Sequence, residues 1–328
     1  MGLAFPLKET LTTPRWATFN VEFKQTGQYI KLLCQKDETC KGEEMIAEKH
    51  KIETFDGLKL EASIVENGSP VWLIVTHGLG EHSDRHQYMD RNFSQYFNIC
   101  RYDLRGHGDS DGKRVSVDSF SDYTKDLDII LNYLKEKFQM DRYILFGHSM
   151  GALITSSYMQ KIASTHFYPE KVFLSGPPVA APGALGSFFH LAPLGISKTL
   201  SNLGLSIALG GMLDIKKLSH DPRVYEAYIK DPKNSLKIET KLFFSILAES
   251  KEVFSRKLRV SCPLYVAIGT NDVLIDAQRA ANYFKTTEKN ASLLEVKDGY
   301  HELHNEIEKY KKPYFKFLKE SLIESIYS

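Results

Sequence analysis

The chain has 328 residues, of which 42% are hydrophobic and 25% charged, so it can bury a large core as an ordinary globular protein. Its formal net charge of +1 offers no basic footprint, which sets nucleic acid aside as a partner. The four cysteines, Cys34, Cys40, Cys100 and Cys262, lack C-x-x-C spacing and nearby histidine pairs, so neither zinc nor a thioredoxin-like motif is supported, and no metal or cofactor is implied.

Residues 1 to 45 read as a mixed polar extension, with an amphipathic helix expected around Phe19 to Cys34. The opening MGLAFPLKETLTTPRW has no basic n-region, and Pro6 spoils a myristoylation pattern at Gly2. No apolar stretch is long enough to span a bilayer, so a cytoplasmic protein is expected, and a Cys34 to Cys40 bridge would require export.

From Lys51 the pattern becomes rhythmic. KIETF, the turn Asp56-Gly57 and LKLEASIV predict a β-hairpin, and Asn67-Gly68 then turns the chain into VWLIV, apolar on both faces as buried parallel strands are. NICRYD is the next strand, and Val117 to Phe138 carries apolar residues at helical spacing. RYILF, KVFLSG, PLYVAIG and SLLEV continue the alternation of short apolar strands with helices, which predicts an α/β fold around a mainly parallel sheet with helices on both faces.

One interval is anomalous. Gly176 and Pro263 lie much farther apart than the dozen or so residues an ordinary crossover needs. The reading is therefore a core of residues 46 to 176 and 241 to 328, with residues 177 to 240 inserted as a helical cap, or lid, over the site. The plainer alternative for its apolar residues is a small subsidiary core.

Chemistry concentrates at Gly147-His148-Ser149-Met150-Gly151, between the strand YILF and a small-residue helical stretch. That context predicts a nucleophile elbow: a sharp strand-to-helix turn flanked by glycines, with the Ser149 hydroxyl at its apex. A serine hydroxyl is a weak nucleophile at neutral pH and needs a base, which in turn needs an orienting carboxylate. Asp272, just after PLYVAIG, and His301, after SLLEV, follow Ser149 in the order serine, acid, histidine that such sheets use.

Rivals are weaker. Asp276 lies farther from its strand and suits a helix cap, while His304 falls inside the expected last helix. His148 points away from an apical Ser149 and packs, and Glu302, directly after the base, is expected to face elsewhere. Two oxyanion donors are needed: the Met150 N–H after the nucleophile, and the Leu79 N–H in the loop His77-Gly78-Leu79-Gly80-Glu81-His82. His77 is expected to brace that loop.

HGLGEHSDRH, RYDLRGHGDSDGKR, GHSMG, GTNDVLID and YHELHNE together resemble the monoacylglycerol lipase and lysophospholipase family of α/β-hydrolases, from about residue 50 to the C-terminus. LSHDPRVYEAYIKDP is similar to that family's cap. The resemblance implies a serine esterase acting on a small lipid ester through an acyl-enzyme. Its triad would be Ser149, Asp272 and His301, its oxyanion donors Leu79 and Met150, and Glu81, Arg85 and His304 would lie near the polar end of the substrate. For Glu81 and Arg85 a structural salt bridge is the alternative.

Leu79 stands where the family often has a smaller residue, Ala152 stands in place of glycine, and the N-terminal extension has no clear counterpart. The cap's apolar residues would sheath an acyl chain, worth about 0.8 kcal/mol per buried methylene, and could make peripheral contact with a membrane. Hydrolysis of monoacylglycerol is the leading expectation. A lysophospholipase, a general carboxylesterase and an acyltransferase share the triad, and a binding protein that has lost the chemistry would show a broken one.

Overall fold

The computed structural model describes residues 47–183 and 214–324, besides Gly186, Phe188, Phe19–Asn20, Leu33–Cys34 and Ser206–Ala208. The chain divides into two units, Met1–Glu44 and Met45–Ser328. In the first, Phe19–Asn20 and Leu33–Cys34 pair antiparallel, with Phe19 opposite Cys34. This corrects the expected helix over Phe19 to Cys34, since a continuous helix would hold those two residues about 22 Å apart. The proposed Cys34 to Cys40 bridge lies outside the described residues.

The second unit is built on eight strands: β1 Glu48–Glu53, β2 Lys59–Val65, β3 Val71–Thr76, β4 Asn98–Tyr102, β5 Arg142–His148, β6 Lys171–Ser175, β7 Leu264–Gly269 and β8 Ser292–Val296. They lie in the order β1-β2-β4-β3-β5-β6-β7-β8. β1 and β2 pair antiparallel, β2 runs antiparallel to β4, and every other pairing is parallel. The Asp56-Gly57 turn that opens the hairpin puts Gly57 at φ 82°, a conformation glycine adopts without a Cβ penalty.

Alternation along the central strands feeds two separate cores. Trp72 and Ile74 of β3 and Leu145 of β5 pack on one face, whereas Leu73, Val75, Ile144 and Phe146 pack on the other. Because both faces are covered, these strands read as continuous apolar runs.

The first face is covered by α2 Phe120–Phe138, α3 Met150–Lys161, α5 Thr240–Val253 and α6 Ala277–Thr286. The second is covered by α1 Tyr88–Phe93 and α7 Glu308–Ile323. In α2 the buried residues Phe120, Tyr123, Leu127, Ile130, Leu131 and Leu134 recur at three- and four-residue spacing. Ser119 starts that helix as a capping box with Asp122. Asp276 caps α6, its side chain accepting from the Arg279 N–H at 2.9 Å.

Between β6 and β7 the described residues include α4, Pro222–Lys230, and a short antiparallel ladder of Ser206–Ala208 with Lys237–Glu239. Ser235 N–H and Tyr228 Oη both donate to the Gly80 carbonyl at 2.8 Å, and His82 Nε2 lies 2.8 Å from Asp231 Oδ2. These bonds clamp the 222–235 segment onto the loop after β3. Among the described residues no helix is long and apolar enough to cross a membrane.

Candidate active site

Ser149 stands between β5 and α3 with φ 52° and ψ −118°, a strained backbone for a residue with a side chain. Its N–H donates to the Ser175 carbonyl at 2.8 Å, tying the turn to the neighbouring strand. The flanking glycines are sterically required. A Cβ on Gly151 would sit 2.2 Å from the Thr76 carbonyl oxygen, and one on Gly147 would sit 2.5 Å from that of Gly151. Gly151→Ala is therefore expected to push α3 off β3 and destabilise the fold by about 1–3 kcal/mol or more. A denaturation curve with an unchanged midpoint would contradict this.

His301 Nδ1 lies 2.5 Å from Asp272 Oδ2, and both side chains are buried. Asp272 is itself held from behind, Oδ1 accepting from Leu274 N–H at 2.8 Å and Ile275 N–H at 3.2 Å. Burial alone would depress the His301 pKa, but the charge and hydrogen bond of Asp272 outweigh it, with Glu302 and Glu81 adding to them. The imidazole therefore titrates above its ordinary value of 6.5.

Ser149 and His301 line one cavity of about 160 Å³. They flank the end of β6: a Cβ on Gly176, which follows Ser175, would lie 3.1 Å from His301 Cε1. Leu79 and Met150 line the same cavity, and no hydrogen bond among the described residues takes up either N–H. Gly78 approaches Ser149 so closely that a Cβ there would lie 3.1 Å from Ser149 Cβ. Its own N–H donates to Glu81 Oε1 at 2.5 Å, which fixes the loop. His77 braces that loop from below, Nδ1 lying 2.8 Å from the Gly78 carbonyl while Nε2 accepts from Leu104 N–H at 2.9 Å.

The remaining wall is largely apolar, with Ile215, Leu218, Phe243, Ile246, Leu247, Leu274 and Ile275 among its residues. Phe243, Ile246 and Leu247 belong to α5, so part of the apolar lining comes from beyond the expected cap boundary at residue 240.

Glu81 lines the cavity and is the hub of a buried polar cluster. Its Oε1 lies 3.0 Å from His86 Nε2, and its Oε2 accepts from Arg85 Nε at 2.9 Å. Burial works against the charge of this carboxyl, yet His86, bonded to it, and Arg85 hold it well below the usual carboxylate range. Arg85 reaches on to Glu302, one terminal nitrogen donating to Oε1 at 2.6 Å and to Oε2 at 2.5 Å. Burial opposes the guanidinium charge, and the two carboxylates more than compensate, raising its pKa.

Glu302 also lines the cavity, which corrects the expectation that it faces elsewhere. The backbone after β8 is not a strand: Glu302 sits at φ −90°, ψ 72° and starts a short 3-10 turn, Leu303–Asn305, that brings its side chain back toward the site. The same turn holds His304, ahead of α7 and not inside it.

Arg85 and His304, which the family resemblance puts at the polar end of a substrate, are not among the cavity-lining residues. His304 is buried against Tyr88, with ring centroids 4.8 Å apart, and neither of its ring nitrogens has a partner among the described residues. Burial keeps it well below the usual histidine range and so neutral. His148 is likewise buried and depressed, its ring 5.0 Å from that of His301, and it contributes to the cavity wall as well as packing.

Arg101 and Arg105, from the RYDLRGHG stretch, are scaffold. Arg101 grips Asp90 at 2.6 Å and the Ser83 carbonyl at 2.9 Å, and Arg105 grips Asp126 at 2.6 Å. Among the described residues no cluster of histidine, cysteine, aspartate or glutamate could hold a metal ion.

Comparison with known proteins agrees with this architecture. A monoacylglycerol lipase of Mycolicibacterium smegmatis is 27% identical over 239 residues, covering 72% of this chain and 82% of that protein. The monoglyceride lipase of Homo sapiens is 27% identical over 245 residues, covering 73% and 78%. The crystal structure of Paleococcus ferrophilus monoacylglycerol lipase superposes with a TM-score of 0.66 at 26% identity, over 84% of this chain and 98% of that one. The family described as serine aminopeptidase, S33, matches residues 70–308, nearly three quarters of the chain. The protein belongs to that family of α/β-hydrolases.

Proposed function

We propose that this protein is a serine hydrolase that cleaves the ester bond of monoacylglycerols through an acyl-enzyme on Ser149. The observation that supports the reading is that Ser149 and His301, which Asp272 orients, both line one mainly apolar cavity. The similarity to proteins named monoacylglycerol lipase supports the choice of ester.

In this reading His301 Nε2 takes the Ser149 proton, while Asp272 keeps the other imidazole proton on Nδ1. The Ser149 oxygen attacks the ester carbonyl, and the negative charge that develops on its oxygen meets the open N–H groups of Leu79 and Met150. Collapse expels the glycerol alkoxide, which takes the proton back from His301. Water, activated by the same imidazole, then releases the fatty acid. The apolar wall from Leu218, Phe243, Ile246 and Leu247 sheaths the acyl chain. Ile229 and Leu236, exposed on the segment over the site, suit peripheral contact with a lipid surface.

The pH dependence follows from His301. Only the neutral imidazole accepts the serine proton, so activity is lost as pH falls through the raised His301 pKa. The acid limb of kcat/KM should have its midpoint above 6.5. A profile that stays flat well below that value would contradict the assignment of the base.

The reading as a whole is tested on purified protein with long-chain monoacylglycerols, lysophospholipids and short-chain esters. Preference for long-chain monoacylglycerol is expected. Comparable rates on short and long esters would leave a general carboxylesterase, and transfer of the acyl group to added alcohols in preference to water would leave an acyltransferase.

A further inference from the structure

We propose that Glu302 sets the charge preference of the site for its leaving alcohol. With Glu81 it lines the polar end of the cavity with carboxylate, so that an alcohol bearing hydroxyl groups is accepted and one bearing phosphate is refused. This inference rests on the monoacylglycerol reading and deepens it.

Glu81 and Glu302 both contribute to the cavity wall, and the cation between them, Arg85, does not. Arg85 faces the two carboxylates: its Nε is bonded to Glu81 and one terminal nitrogen is bonded twice to Glu302, while its guanidinium carbon lies 4.9 Å from the centre of the Tyr228 ring. His86 Nε2 meets Glu81 Oε1 at 3.0 Å, and His86 is not among the residues of the cavity wall. His148 is held neutral by burial.

The cavity wall therefore presents two carboxylates, while their partners Arg85 and His86 are not part of it. Among the described residues none lining the cavity is a lysine or an arginine.

A glycerol leaving group carries only hydroxyls, which can donate to carboxylate oxygens. A glycerophosphate brings negative charge against that wall. In a medium of effective dielectric about 20, two like charges about 7 Å apart repel enough to cost roughly 50-fold in binding. Glu302 is also well placed to impose this at the reacting centre, because it directly follows His301 and its N–H donates to the Leu218 carbonyl at 2.8 Å, fixing it beside another wall residue.

The test uses the full chain at pH 8 in detergent micelles of fixed composition, with three esters of one fatty acid: the monoacylglycerol, its glycerol-phosphate counterpart and the nitrophenyl ester. Wild type should favour the monoacylglycerol over the phosphate ester by at least about 50-fold in kcat/KM. Glu302→Gln should narrow that ratio by about 10-fold or more, and Glu302→Asp should restore it. The nitrophenyl ester reports any general loss of chemistry, which a purely structural role for Glu302 would impose equally on all three.

Near-equal wild-type rates on the monoacylglycerol and the phosphate ester would overturn the inference, even if Glu302→Gln failed to fold. So would a ratio unchanged by Glu302→Gln. Cleavage of the nitrophenyl ester without cleavage of monoacylglycerol is the distinct result that overturns the monoacylglycerol reading itself, and this inference with it.

Discussion

Replacing Ser149 with alanine is expected to lower ester hydrolysis by about 10⁶-fold, the size of the loss when the nucleophile of a serine triad is removed. The residual rate would come from Leu79 and Met150 N–H donors and from substrate binding alone. The fold should survive, because the serine makes its bond to β6 through its backbone N–H, which alanine keeps. A denaturation midpoint close to wild type therefore accompanies the expected loss. A variant retaining more than a few per cent of activity would remove Ser149 from the mechanism.

Asp272→Asn is expected to cost about 10⁴-fold in kcat with little structural change. The reason lies in how Asp272 is held. Leu274 and Ile275 N–H groups both donate to Oδ1, so an asparagine would turn its single carbonyl oxygen toward them and present its NH₂ to His301 Nδ1. Two donors would then face each other. The imidazole would move its proton to Nε2, the atom that must be bare to accept from Ser149. The substitution also removes the charge that raises the His301 pKa, so any remaining activity should show its acid limb at lower pH than wild type. A drop of less than about 10-fold would mean that Asp272 does not orient the base.

The central strands were legible because burial on both faces leaves unbroken apolar runs, as in Val71–Thr76 and Arg142–His148. The elbow was legible because steric need forces glycine at two fixed positions, and the Cβ distances at Gly147 and Gly151 show that need. Asp272 and His301 follow strands β7 and β8, so topology alone brings them to one end of the sheet.

Glu302 was not legible. A residue next to the base in an extended chain would face the other way, and only the irregular turn after β8 reverses it. Its partner Arg85 lies 217 residues away, a pairing no local pattern encodes. The contribution of α5 to the cavity was hidden for a related reason. Phe243, Ile246 and Leu247 share an ordinary amphipathic spacing with residues that pack on α3, and periodicity does not separate a face that lines a cavity from one that fills a core. The short pairing of Phe19–Asn20 with Leu33–Cys34 likewise depends on contacts that propensity over that stretch does not carry.

The central claim, an acyl-enzyme on Ser149 that turns over monoacylglycerol, is tested most directly by titration with a serine-directed phosphonate. Activity on a long-chain monoacylglycerol would be followed alongside peptide mass analysis. The account predicts one adduct per chain, located on Ser149, with activity falling in proportion to its occupancy. An adduct on another residue, or monoacylglycerol hydrolysis that persists at full Ser149 occupancy, would contradict it.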